Sequence, residues 1–158
     1  MPDYSYLGID KEAYFPKLKR ENYRVTSDYT ARYNCIAHAA NDPTRWWWPD
    51  EGFPGVFWPA GIDAVETVEA FVQAYSTLGY DSCDHAELET DFIKVAIYVD
   101  GDGVPTHAAR QLPNGMWTSK LGQWEDIEHR TLHDLEDDGR GLGYGRSAVF
   151  LKMRANAP

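Results

Sequence analysis

The stretch from Phe92 to Lys120 constrains the fold of this chain more than any other part. Residues 92–99 are rich in β-branched and apolar side chains, as a buried strand requires. Asp100-Gly101-Asp102-Gly103 then supplies turn chemistry, residues 104–112 read as a second strand, Pro113-Asn114-Gly115 as a second turn, and 116–120 as a third strand. Two short turns leave no room for a crossover helix, so these strands must run antiparallel. Residues 147–153 read as one further strand, and 125–135 as a short helix or helical turn in which Ile127, Leu132 and Leu135 are the apolar positions.

The preceding half has a different period. Val65, Val68, Val72 and Tyr75 share one face of a helix over 63–79, widened by Phe71 and Leu78, with Asp63 as its cap and Gly79 at its stop. A second, short helix starts at Cys35, because Asn34 can cap it, alanines follow, and Pro43 disfavours a helical Asp42. Residues 1–33 carry six tyrosines interleaved with charges and show no period. They read as an arm wrapping the core, with a short helix near Lys11. Helices first and an antiparallel sheet second is an α+β pattern. With 158 residues and no linker, the chain reads as a single domain.

Composition removes several function classes. Twenty-five acidic against fifteen basic side chains leave a net charge of −10, and no Lys/Arg cluster interrupts it, so neither nucleic acid nor an anionic membrane is an expected partner. No run of 18 apolar residues occurs, and residues 1–20 lack the apolar core of a signal peptide. A cytoplasmic location is the expectation, and two cysteines then do not suggest a disulfide framework.

Cys35 is the first residue with chemical potential. Directly after its cap, its sulfur would sit at a helix terminus, where free N–H groups favour a thiolate and can hold an oxyanion. The alternative is a small buried core residue. His107, near the start of the second strand, is the candidate proton acceptor; its alternative is a half-exposed strand position. The two in this order, Cys35 in Tyr33-Asn34-Cys35-Ile36-Ala37-His38-Ala39 and His107 in Thr106-His107-Ala108-Ala109, resemble the papain-like cysteine peptidase superfamily, above all its compact bacterial NlpC-type and papain-fold amidase-type branches. That resemblance covers 34 to about 130. It implies an N-terminal helix carrying Cys packed on an antiparallel sheet. Cys35 would be the nucleophile, His107 the general base, and a polar residue on or near the next strand the group that orients it. Hairpin parity puts Ser119 on the face of His107, whereas Asp126 lies beyond the strand and offers the better orienting group, a carboxylate. Asp126 is the expected third member, with Ser119, Glu125 and Glu128 left open. The upstream Gln that many papain-like enzymes use for the oxyanion has no counterpart in Tyr29-Thr30-Ala31-Arg32.

The expected function is therefore a thiol hydrolase or transferase acting on a peptide, isopeptide or side-chain amide bond, without a cofactor. The rival is a non-catalytic acidic interaction module of immunity or adaptor type. Trp46, Trp47, Trp48 and Trp58 fall just after the Cys35 helix, in a stretch too rich in Pro and Gly for a helix or a central strand. They are either a satellite hydrophobic cluster or one wall of a substrate groove. Cys35-x-x-His38 with Cys83-x-His85 could form a zinc site, although the spacings are imperfect. No metal is expected. His129 and His133 read as one solvated helix face, residues 134–138 as an acidic loop, and 139–145, with four glycines, as a flexible connection.

Overall fold

A computed structural model describes residues 6–50 and 54–155. The chain forms α1 (Ile9–Glu12), β1 (Tyr23–Val25), α2 (Cys35–Ala39), β2 (Trp46–Trp47), β3 (Val56–Phe57), α3 (Val68–Ser76), β4 (Asp81–Cys83), β5 (Phe92–Val99), β6 (Pro105–Gln111), β7 (Trp117–Lys120), β8 (Asp126–His129), a 3-10 turn (Leu132–Leu135) and β9 (Arg146–Arg154). Seven strands make one sheet in the order β1-β8-β7-β6-β5-β9-β4, with every neighbouring pair antiparallel. Few helices on an antiparallel sheet is the α+β class expected, and the β5–β6–β7 meander lies at its centre.

Alternation along the strands sorts side chains onto two faces. Ala96, Tyr98, Ala109, Trp117 and Ile127 face one core, which the arm covers with Leu7, Phe15, Leu18 and Tyr23. Val95, Ile97, Ala108 and Leu151 face the other core, covered by α2 and α3 through Cys35, Ile36, Phe71 and Tyr75.

Several elements differ from expectation. Residues 126–129 are a strand rather than the start of a helix. Ile127 and His129 point into the arm-side core, and β8 is paired on both sides, by β1 and β7. Two ladders of backbone hydrogen bonds override a weak helical pattern. The arm adds β1 to the sheet, and residues 81–83 pair with β9 as an edge strand. Helix α3 starts later than expected because Thr67, not Asp63, caps it, accepting from the Ala70 N–H at 3.2 Å. Val65 is consequently 47% exposed.

The glycine-rich connection is exposed over 139–142 but packed over 143–145. Gly145 has φ 88°, and a Cβ there would lie 1.9 Å from the Val99 carbonyl oxygen. Tyr144 is pinned by its N–H donating to the Leu135 carbonyl at 2.9 Å.

Candidate active site

Helix α2 lies against β6 and β7. Its position is set by Asn34, whose side-chain oxygen accepts from the Ala37 N–H at 3.2 Å and from the Trp47 N–H at 3.1 Å, while its amide donates to the Trp47 carbonyl at 2.7 Å. One buried side chain thus caps the helix and ties it to the tryptophan segment. Cys35 follows and is 7% exposed. Burial pushes its thiol up to about 11, against the pull of the backbone N–H groups of Ala108, Ile36 and Cys35 itself and of the Lys120 charge.

One turn along α2, His38 enters a polar cluster. Its Nε2 lies 2.8 Å from Thr118 Oγ1 and its Nδ1 3.8 Å from Asp126 Oδ2. The Tyr33 hydroxyl donates to the same Asp126 oxygen at 2.6 Å, and the Tyr33 ring stacks on the imidazole with centroids 5.8 Å apart. With Nδ1–H turned towards the carboxylate, Nε2 holds the lone pair and the Thr118 hydroxyl donates to it. Burial drives His38 down to about 4, Asp126 opposes this, and Arg110 and Lys120 add to it. The imidazole is therefore neutral at pH 7. Lys120 stretches under the Tyr33 ring and donates to the Gly122 carbonyl at 2.9 Å and to that of Trp124.

His107 is elsewhere. Its Nε2 meets Ser119 Oγ at 3.0 Å, Ser119 Oγ meets His129 Nε2 at 2.8 Å, and His129 Nδ1 meets the Thr131 carbonyl at 2.9 Å. A carbonyl can only accept, so every proton in the chain is assigned. His129 donates from Nδ1, Ser119 donates to His129 Nε2, and His107 donates from Nε2 to Ser119. His107 Nδ1 is left with a lone pair and no hydrogen-bond partner among the described residues. Tyr144 stacks on the ring at 4.0 Å. All of this lies in the arm-side core.

The structure therefore does not assemble the expected trio of Cys35, His107 and Asp126. Cys35 packs with Ala108, whose side chain emerges on the face opposite to that of its neighbour His107. Asp126 pairs across the ladder with Lys120 and serves His38. Ser119 does share the face of His107, as hairpin parity requires. His38 was legible as a residue one turn from Cys35, but nothing local distinguished its partners Thr118 and Asp126, which are 80 and 88 positions away.

A family model described as a domain of unknown function (DUF7689) matches residues 24–152. The chain belongs to the DUF7689 family. No curated protein and no solved structure matches it. The match spans both polar clusters, so His38 with Asp126 and the His107 relay lie wholly within the DUF7689 domain.

The four tryptophans expected to wall a groove in this DUF7689 domain part ways. Trp46 and Trp48 line a groove of about 420 Å³ with Ala31, Pro54, Val56 and Gln123. Trp47 is buried against Phe57 and Tyr75 and belongs to the core, whereas Trp58 is half-buried and packs on Phe71 at the core's edge, as Trp48 also does. Both cysteines are free, and among the described residues no group of three or more His, Cys, Asp or Glu is placed to hold a metal ion. His129 is buried at the end of β8, whereas His133 pairs with Glu136 at 3.2 Å on the surface, so they share no helix face. No helix among the described residues is long and apolar enough to cross a membrane.

Proposed function

We propose that this DUF7689 domain is a thiol hydrolase or transferase acting on an amide bond, with Cys35 as nucleophile and His38, rather than His107, as its base. The observation that carries this reading is the imidazole of His38 held between Thr118 and Asp126 one helical turn from Cys35. A carboxylate beside Nδ1 fixes the tautomer and stabilises the imidazolium that forms when Nε2 takes a proton. Residues at i and i+3 share a helix face, so in this reading the Cys35 thiol becomes the donor to Nε2 once the Thr118 hydroxyl turns away from it.

In the reaction the thiol proton passes to Nε2 as sulfur bonds to the amide carbon. The carbonyl π electrons move to oxygen. Collapse breaks the C–N bond, and the imidazolium returns the proton to the departing nitrogen. Water or another amine then attacks the thioester and regenerates the thiol. The backbone N–H groups that already favour charge on the sulfur support this role. A cysteine-bearing helix on an antiparallel sheet agrees with the papain-like resemblance, while the change of base departs from it.

The rival reading, an acidic interaction module, is favoured by the closed state of the cluster. Cys35 is nearly buried, its thiol is raised, and both His38 nitrogens face partners. Labelling with a small chloroacetamide separates the two readings. The enzyme reading expects Cys35 to be labelled in the folded protein, at least tenfold more slowly in His38→Ala and at an unchanged rate in His107→Ala. A Cys35 that stays unlabelled, or is labelled equally without His38, sinks it.

A further inference from the structure

Arg110 is a charge without an ion-pair partner among the described residues. It stands on the α2 face of β6, opposite Thr118 of β7, half-buried, and its Nε has no hydrogen-bond partner among the described residues. Its electrostatic neighbours are the Tyr80 hydroxyl and the Asp126 carboxylate. No ion pair to either is formed. Asp126 in turn is only 6% exposed, and while its Oδ2 takes the Tyr33 hydroxyl, its Oδ1 has no hydrogen-bond partner among the described residues. Desolvating one guanidinium N–H and one carboxylate oxygen without hydrogen bonds is costly, and folding alone gives no return for it.

Resting on the amide-bond reading above, we propose that Arg110 and Asp126 are the subsite for the residue on the nitrogen side of the scissile amide, and that this residue bears a free α-carboxylate. The substrate class is an N-acyl amino acid or the C-terminal residue of a peptide. A guanidinium fork is the natural complement of a carboxylate. An acceptor-only carboxylate oxygen requires an N–H. An N-acyl amino acid carries the two on one carbon, its amide nitrogen and its carboxylate both bonded to the same Cα. Charge agrees with this choice. On this face Arg24, Arg110 and Lys120 stand against Asp126 and Glu128, with Arg24 and Glu128 paired to each other and His38 neutral, so one positive charge is left over in a chain of net −10. One carboxylate balances it.

The test titrates the full-length protein at pH 7 with N-acetylglycine, N-acetylglycinamide and N-acetylsarcosine, following the His38 ring resonances by NMR. The second probe lacks the carboxylate and the third lacks the N–H. N-acetylglycine is expected to bind saturably and at least tenfold more tightly than either analogue. Arg110→Leu is expected to lose that preference for the carboxylate, and Arg110→Lys to restore part of it, with near-UV circular dichroism unchanged in both. Equal affinity for either analogue, no saturable binding at all, or an Arg110→Leu variant that binds as wild type overturns the proposal. Chloroacetamide labelling of Cys35 reads the underlying site separately. Labelling that depends on His38 without N-acetylglycine binding leaves the thiol site standing and removes the subsite. Binding without that dependence leaves a recognition site and removes the chemistry.

Discussion

Cys35 and His107 lie on opposite faces of one sheet. The contact that Cys35 makes with β6 is to Ala108, one residue beyond His107, and a strand turns consecutive side chains to opposite sides. His107 instead ends a hydrogen-bonded chain through Ser119 and His129 to the Thr131 carbonyl, inside the core that the N-terminal arm covers.

His107→Ala is therefore expected to act on stability. It removes a fully buried ring stacked on Tyr144 and leaves Ser119 without its donor. A loss of about 2–4 kcal/mol in urea unfolding is expected, from the cavity and the broken hydrogen bond together. A loss below about 0.5 kcal/mol contradicts the relay.

Acid weakens the fold through the same residues. Burial lowers His129 to about 4 and His107 well below its ordinary value, so between there and about pH 6.5 the unfolded chain binds protons that the folded chain refuses. Stability from these groups is complete above about pH 6.5 and declines as pH falls, by up to about 1.4 kcal/mol per pH unit for each group. The comparison to make is the unfolding free energy of wild type and His129→Gln from pH 7 to 4.5. The variant should show the shallower slope, and parallel curves refute the assignment.

Tyr33→Phe removes the hydroxyl that donates to Asp126 at 2.6 Å while keeping the ring on His38. A hydrogen bond to a charged acceptor contributes about 1.5–3 kcal/mol. A loss within that range in denaturant unfolding is expected. An unchanged midpoint means that the carboxylate does not rely on Tyr33.

Gly145→Ala tests the packed connection. The added methyl would meet the Val99 carbonyl at 1.9 Å, at a backbone φ that L side chains rarely adopt. A loss above about 3 kcal/mol is expected. Gly101→Ala, whose added Cβ meets nothing within 4 Å, should change stability by less than about 1 kcal/mol and serves as the control.

How much of this was legible before folding depends on the range of the interactions involved. The cap on α2, the meander of β5, β6 and β7, and the shared face of His107 and Ser119 all follow from residues within one element or one hairpin. Asn34 precedes the helix that it caps, short turns force antiparallel pairing, and a period of two carries parity across a tight turn. The conversion of 126–129 into a strand was not legible. It depends on β1, a hundred positions upstream, pairing with β8 through Tyr23 and His129.

The pairing of Cys35 with His107 rested on their order along the chain, and order does not say which face of a strand a helix will cover. The sequence by itself determined the α+β class, the central meander and the cap before Cys35, because local geometry and hydrophobic periodicity act over a few residues. Only the tertiary structure decided that α2 covers the face bearing Ala108, Arg110, Thr118 and Asp126. That choice is made by which side of the sheet offers apolar area to α2 and α3 once the arm has covered the other. It turned His38 towards Asp126 and left His107 in the opposite core.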